Sequence, residues 1–405
     1  MKYDGIVIGG GPAGMFAAIT AARRGQKVLL LEKNGRLGKK LLITGKGRCN
    51  ITNNCDNQTV LNNTPRNGRF LYSALDGCSP QDVMAFFESQ GCAVKTERGD
   101  RVFPVSDRSQ SVLEALQKAL RQAGVTVMEA CAQQILTQQG AVCGVKTSRG
   151  SFQAGWVILA TGGLSYPATG STGDGFAMAQ ALGHTVTPCQ GSLVPLETTG
   201  QDCQAMQGLS LRNVGVKLVN SKGKVLFKDF GELLFTHFGV SGPTVLSASA
   251  HLKGECKLLL DLKPALEEAK LEARILRDLD TYRNRTMENA LTDLLPSSMI
   301  PVVLRRIGVD GSLQANSFTK QNRRALIEAL KSFSIEITGK RPVEEAIITS
   351  GGIKVSQIDP KTMASKLVPG LYFAGEIIDC DAYTGGFNLQ IAWATAYAAG
   401  SAVSA

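Results

Sequence analysis

The chain has 405 residues, 43% hydrophobic and 19% charged, with a mean hydropathy of +0.01, which excludes a disordered tail protein and leaves room for two or three compact units at roughly 100–200 residues each. Glycine is in excess at 44 residues, about 11% of the chain against an average near 7%, with no Gly-X-Y period, so it serves turns or close backbone approach to a ligand. The net charge of +10 suits a solvated basic surface or anionic ligands as well as nucleic acid, and decides nothing about fold.

Residues 3–32 predict a βαβ unit: a strand through Ile8, a Gly-rich turn, a helix to about Arg24 stopped by Gly25, and a strand over 27–31. Residues 39–67 are polar and rich in Gly and Asn, too irregular for a core element and of the kind that functional loops show. Helices are expected over 79–90, with a Ser cap, and over 106–123, where Val112, Leu113, Leu116, Ala119 and Leu120 form the apolar stripe. A strand over 125–128, a β-meander through 134–137, 141–146 and 151–153, and a buried strand over 156–160 follow. After His184 the texture changes. Residues 186–260 carry short strands (214–219, 224–227, 257–260), and residues 264–331 carry about three helices broken by Pro296, Pro301 and Gly308. From Ile347 the strand–turn–helix pattern returns, ending in a strand over 371–374 and a long helix of small residues after Gly386.

The first chemical motif is Gly9-Gly10-Gly11-Pro12-Ala13-Gly14 between a strand and a helix. Gly9 permits the tight turn, Gly11 lets the backbone approach a pyrophosphate, and Gly14 lets the helix pack on the strand. Glu32 ends the second strand, 18 residues after Gly14, where a carboxylate accepts hydrogen bonds from an adenosine ribose with a free 2′-hydroxyl. That points to FAD or NAD. Thr161-Gly162-Gly163, after a β-meander and a buried strand, stands where flavoproteins of the glutathione-reductase type return to the cofactor. The strand ending in Gly375-Glu376 supplies an acid for a flavin ribityl chain. Gly385-Gly386-Phe387-Asn388-Leu389 opens a helix whose N-terminus would face the flavin pyrimidine edge.

These residues, with the strings 38–52 (GKKLLITGKGRCNIT), 98–106 (RGDRVFPVS), 170–175 (GSTGDG), 232–243 (ELLFTHFGVSGP) and 363–390, resemble the bacterial BaiN-like (YhiN-like) FAD-dependent oxidoreductases, a family that includes proteins described as aminoacetone oxidases and as bile-acid enone reductases. The resemblance covers nearly the whole chain. It implies an α/β fold: a Rossmann-like, glutathione-reductase-type FAD domain over 1–188 and 346–405, a β-barrel-like domain over 189–262 and 332–345, and a helical insert over 263–331. It also implies FAD contacts at Gly9, Gly11, Pro12, Ala13, Gly14, Glu32, Lys33, Lys40, Thr44, Gly45, Gly47, Arg48, Cys49, Asn50, Ala160, Thr161, Gly162, Asp174, Gly375, Glu376, Gly386, Phe387, Asn388 and Leu389. Lys46 stands where the family has Gly, and Ala382 and Phe387 replace a usual Gly and Tyr, so no hydroxyl can act at position 387.

Candidate catalytic groups are His237, able to move a proton while a flavin moves a hydride, and Arg48 and Asn50, able to orient an anionic substrate or a phosphate. Cys49 beside Arg48 would have a lowered thiol pKa. The ten cysteines include no Cys-x-x-Cys and the three histidines are His184, His237 and His251, so no metal site and no disulfide-exchange centre are expected. Unpaired Cys and an N-terminus that runs into Ile6-Val7-Ile8 imply a cytoplasmic protein, and no apolar run spans a membrane. No second G-x-G-x-x-G follows in residues 186–405, so NAD(P)H binds transiently or oxygen takes the electrons. The expected reaction is hydride transfer between flavin N5 and a small organic substrate. The alternatives are an RNA-acting flavoprotein, in which the basic charge holds RNA, and a non-catalytic flavin-binding redox sensor. Oligomeric state is not legible.

Overall fold

The computed structural model describes residues 2–404 and forms two compact units, Met1–Ser192 with Val343–Ala405, and Leu193–Pro342. In the first unit β1 (Gly5–Ile8), α1 (Pro12–Arg23) and β2 (Val28–Glu32) are the expected βαβ element. β1 is the centre of a five-stranded sheet. Trp156–Leu159 and then Leu371–Phe373 lie on one side, β2 and Thr126–Glu129 on the other, all parallel. The runs Gly5-Ile-Val-Ile and Val28-Leu-Leu-Leu are buried without alternation, as a sheet covered on both faces requires.

The C-terminal helix Phe387–Ala402 packs on α1 and is apolar nearly all round, so it is a core helix. Its small residues let the two backbones approach: a Cβ at Gly400 would lie 2.6 Å from the Ala17 carbonyl oxygen. Trp393, fully buried, lies 5.5 Å from both Phe16, at a tilt, and Phe87, edge to face, and its indole N–H donates to Ile51 O at 2.9 Å.

Residues 39–67 are more ordered than their composition suggests. They contain helices Lys39–Ile43 and Asn57–Asn62, the latter capped by Asp56, and a short strand Thr52–Asn53. Leu41, Cys49, Ile51 and Val60 are buried at irregular spacing, and the buried Thr52 and Asn53 are polar, which leaves no period to read. The next-but-one long helix begins at Ser109, later than expected, because Asp107 takes φ +54° and Arg108 is extended.

The second unit is built on a closed antiparallel barrel in the order Leu196–Thr198, Gly239–Ser241, Val225–Thr236, Ser210–Asn220, Cys256–Asp261, Phe333–Lys340. Two of its strands run 11 and 12 residues, longer than their apolar cores, because bulges carry the pairing past polar positions. The segment 263–331 forms helices Glu268–Thr281, Met287–Ala290, Ile300–Arg306 and Lys320–Lys331. They share one continuous hydrophobic cluster with the barrel, so barrel and helices are a single compact unit. Among the described residues no helix is long and apolar enough to cross a membrane.

One histidine of the first unit is a stability element. His184, 3% exposed, sits edge-on to Phe373 with Nε2 2.9 Å from Ser365 Oγ. Ser365 Oγ accepts from the Leu367 and Val368 N–H groups, so its hydrogen points to Nε2, and His184 Nδ1 has no partner among the described residues. Burial holds the ring below its ordinary pKa. The unfolded chain therefore binds the proton first: this contribution is complete above about pH 6.5 and is lost as pH falls through that value. Thermal unfolding followed from about pH 7.5 to about pH 5.5 should show a larger drop for the wild type than for His184→Asn; equal drops would remove His184 from the explanation.

Candidate active site

A cleft opens in the first unit at the carboxyl ends of β1, β2 and Trp156–Leu159, the usual ligand position of a doubly wound sheet. It encloses about 1340 Å³, open solvent included, and all its lining residues belong to that unit. The turn Gly9–Ala13 forms its floor. Gly9 takes φ +110° and a Cβ there would stand 2.4 Å from Ala160 O, while a Cβ at Gly14 would stand 1.8 Å from Gly9 O. A Cβ at Gly11 meets nothing within 4 Å. Gly9 and Gly14 are thus demanded by the fold, and Gly11 leaves a space open towards a ligand. The first intrahelical bond of α1 is Met15 N–H to Gly11 O (2.9 Å), and its first turn carries no acidic residue. The N–H groups ahead of that bond and the positive helix end suit a pyrophosphate.

Glu32 closes one end of the cleft. Its Oε2 accepts from Gly10 N–H (2.8 Å) and its Oε1 from Asn34 N–H (2.8 Å) and Asn34 Nδ2 (2.7 Å), which fixes the carboxylate at the tip of β2. Beside it Lys33 pairs with Asp174 at 2.6 Å. Burial works to raise the Asp174 pKa, but Lys33 and Thr172 outweigh it and hold the carboxyl below its ordinary value.

Further along, four distant segments meet. Lys40 Nζ donates to Glu376 Oε2 (2.6 Å) and to Ser165 Oγ (2.7 Å), and Glu376 Oε1 accepts from Ser165 Oγ (2.9 Å) and Thr349 N–H (2.9 Å). Glu376, expected to serve a ribityl chain, is thereby held chiefly by protein donors. At the far end Asn388 and Leu389 line the cleft. Gly386, at φ +101°, caps the C-terminal helix, and the Asn388 side chain turns back to Ala382 N–H and O, both at 2.8 Å.

The expected residues divide cleanly. Gly9, Gly11, Pro12, Ala13, Glu32, Lys33, Lys40, Thr44, Ala160, Thr161, Gly162, Asp174, Glu376, Asn388 and Leu389 line the cleft. Gly14, Gly375, Gly386 and Phe387 shape its backbone without lining it. Gly45, Gly47, Arg48, Cys49 and Asn50 lie outside its lining, in a left-handed turn where even Lys46 has φ +58° and Cys49 φ +63°. Arg48 is turned to other work: its guanidinium pairs with Glu97 and Asp107, both at 2.5 Å, and lies 4.1 Å over the Phe103 ring. Its charge does not activate Cys49, whose thiol burial pushes up to about 12. His237 is exposed on the hairpin of the barrel unit between Val225–Thr236 and Gly239–Ser241, against Phe238, and does not line the cleft. Sequence reading missed Asn34, Ser165 and Thr349. Only Asn34, two residues after the ribose acid, had a local signal.

The cleft passes the test of fit for a dinucleotide: an open space above Gly11, a helix N-terminus free of acids, and Thr161 Oγ1, a lining atom that is buried without a partner among the described residues. Fold and cleft together define an FAD-binding oxidoreductase of the Rossmann type. The chain belongs to the HI0933-like protein Rossmann domain family, whose model matches residues 3–402. It is 32% identical over 98% of both chains to a 3-dehydro-bile acid delta(4,6)-reductase of Clostridium scindens, and 28% identical over 98% of this chain and 97% of the other to a ribosomal RNA dihydrouridine synthase of Escherichia coli. In fold it is similar to a 3-ketosteroid delta1-dehydrogenase of Sterolibacterium denitrificans, with a TM-score of 0.53, 14% identity and 98% of each chain covered.

The two glycines give opposed predictions. Gly11→Val should fold, with circular dichroism and thermal unfolding close to wild type, yet lose its flavin, because the side chain takes the ligand's space. Gly14→Val should be poorly folded, because its Cβ has to displace the Gly9 carbonyl. A flavin-replete Gly11→Val protein would contradict the placement of the pyrophosphate.

Proposed function

We propose that the protein is an FAD-dependent reductase that adds a hydride and a proton across a carbon–carbon double bond conjugated with a carbonyl group, with NAD(P)H as a transient reductant. The observation that carries this reading is the cleft of Gly11, Glu32 and the Lys40–Glu376 node, in a chain that matches over its full length relatives with one chemistry behind two names. A Δ4,6-3-oxo steroid and a uridine ring both present an alkene conjugated with a carbonyl, and both named reactions saturate it.

FAD, when bound, supplies the hydride at ring N5. This chain's residues bind and orient. The turn at Gly9–Ala13 and the first turn of α1 hold the pyrophosphate, and Glu32, fixed by Gly10 and Asn34, meets the adenosine ribose. The N-terminus of Phe387–Ala402, opened by Gly386, stabilises negative charge at the far end of the cleft, and Asn388 fixes the 382–383 backbone beside it.

A second reading keeps the chemistry and changes the carrier: a uracil base within RNA, favoured by the Escherichia coli and Haemophilus influenzae relatives, each 28% identical, and by the +10 charge. Single-turnover mixing of the pre-reduced holoprotein, without oxygen, separates the readings. A cyclic enone should reoxidise the flavin and leave the saturated ketone. Reoxidation by uridine-containing RNA alone would favour the second carrier. If neither substrate reoxidises the flavin while oxygen does so rapidly, an oxidase, as the sequence also allowed, replaces the reductase.

A further inference from the structure

Behind the cleft wall lies a charge cluster that the reaction above leaves unused. Cys380 lines the cleft, and its neighbours Asp379 and Asp381 are only 5% and 2% exposed. One cation stands beside the two carboxyls and is ion-paired with one of them. Arg66 Nε stands 2.5 Å from Asp379 Oδ1, its Nη1 donates to Ser350 Oγ at 3.2 Å, and its backbone bridges that of Asp381. Asn67 Nδ2 donates to Asp379 O at 2.6 Å. Asp381 Oδ2 accepts the Ser192 hydroxyl at 2.9 Å, whereas Asp381 Oδ1 is buried with no hydrogen-bond partner among the described residues. The other titratable neighbours are the Cys189 and Cys380 thiols, both pushed up by burial, and Glu376, which Lys40 neutralises.

Two buried carboxyls against one guanidinium leave one negative charge in excess, beside an Asp381 oxygen that has no hydrogen-bond partner among the described residues. Such a charge is costly, and a proton removes it. Burial pushes the Asp381 carboxyl up against the pull of the Ser192 and Ser350 hydroxyls and of Arg66, and Asp379 adds to the rise.

We propose that Asp381 carries a proton in the resting protein and that the Arg66–Asp379–Asp381 cluster is the proton store for the reaction in the cleft, with Asp381 a positioning residue that acts through water. The inference rests on the reductase reading. When a hydride reaches one alkene carbon, the other must gain a proton. A water in the cleft gives up that proton as the new C–H bond forms, and the proton leaving Asp381 restores the water. The Asp381 carboxylate then shares Arg66 with Asp379 until solvent, at the exposed third of the Arg66 side chain, returns the proton.

The test uses FAD-loaded protein. Infrared difference spectra across a pH series should show a protonated carboxyl at neutral pH in the wild type that Asp381→Asn lacks. In single turnover with a cyclic enone, Asp381→Asn should be slowed about 100-fold with unchanged flavin content and should lose the alkaline decline of the wild-type rate, and Asp381→Glu should recover part of both. Ser192→Ala, which keeps the acid and removes a donor to its anion, should move that decline to higher pH, and it tests the store even if Asp381→Asn fails to fold. A wild type without the carboxyl signal overturns the resting proton. Variants with wild-type rate and pH profile overturn the store. A wild-type holoprotein that no enone or uridine reoxidises defeats the reductase reading and the delivery step with it, while the infrared signal still decides the resting proton separately.

Discussion

The site depends on a contact that only glycine allows. The Gly9 carbonyl lies where a Cβ of residue 14 would be, at 1.8 Å, and the Gly9 backbone turns at φ +110° against Ala160 O. This lets α1 leave β1 at once and point its N-terminus along the cleft instead of over the sheet. Any side chain at either position pushes helix from strand, and the pyrophosphate position, the ribose acid and the strand of Thr161 lose their common origin. Gly11 obeys a different rule: a Cβ there would meet nothing within 4 Å, so no contact with the fold requires glycine at this position.

A second constraint closes the other end of the chain onto this frame. Trp393 donates to Ile51 O, Thr52 Oγ1 donates to Gln390 Oε1 at 2.7 Å, and Asn53 Nδ2 donates to Gly385 O at 3.0 Å. Three consecutive residues at the short strand Thr52–Asn53 are thereby bound to the C-terminal helix and to the residue before its cap, in a core where Gln390 and Trp393 are fully buried. Buried polar groups paired this completely specify one arrangement, since each broken pair would strand a donor or acceptor. Residues 51–53 thus work as a brace behind the 40–50 segment, of which Lys40, Leu41 and Thr44 line the cleft.

Four basic residues in and near the cleft are answered locally. Lys33 answers Asp174, Lys40 answers Glu376, Arg48 answers Glu97 and Asp107, and Arg66 answers Asp379. In the cleft this leaves Lys39, whose Nζ donates to Asn34 Oδ1 at 3.1 Å, together with the helix N-terminus and backbone N–H groups as the attraction for an anion.

What the sequence determined is what is local. The βαβ unit, the glycine turn, the acid ending β2, the strand before Thr161 and the helix after Gly386 all express periodicity, turn chemistry and spacing over fewer than about forty residues, and each stands where it was expected. Three of the barrel's six strands were legible, and about three helices were expected where four form; Leu196–Thr198, Gly239–Ser241 and Phe333–Lys340 gave no strand signal, and bulges and short turns of helix blur the bounds of the rest. Side-chain partnership was not legible. Lys40 meets Glu376 across 336 positions, Arg48 turns to Glu97 across 49 and to Asp107 across 59, and Arg66 serves Asp379 across 313. Such pairs form only when the sheet closes and brings the ends of separate strands together, so the same residues could as well have faced a ligand until the tertiary structure decided.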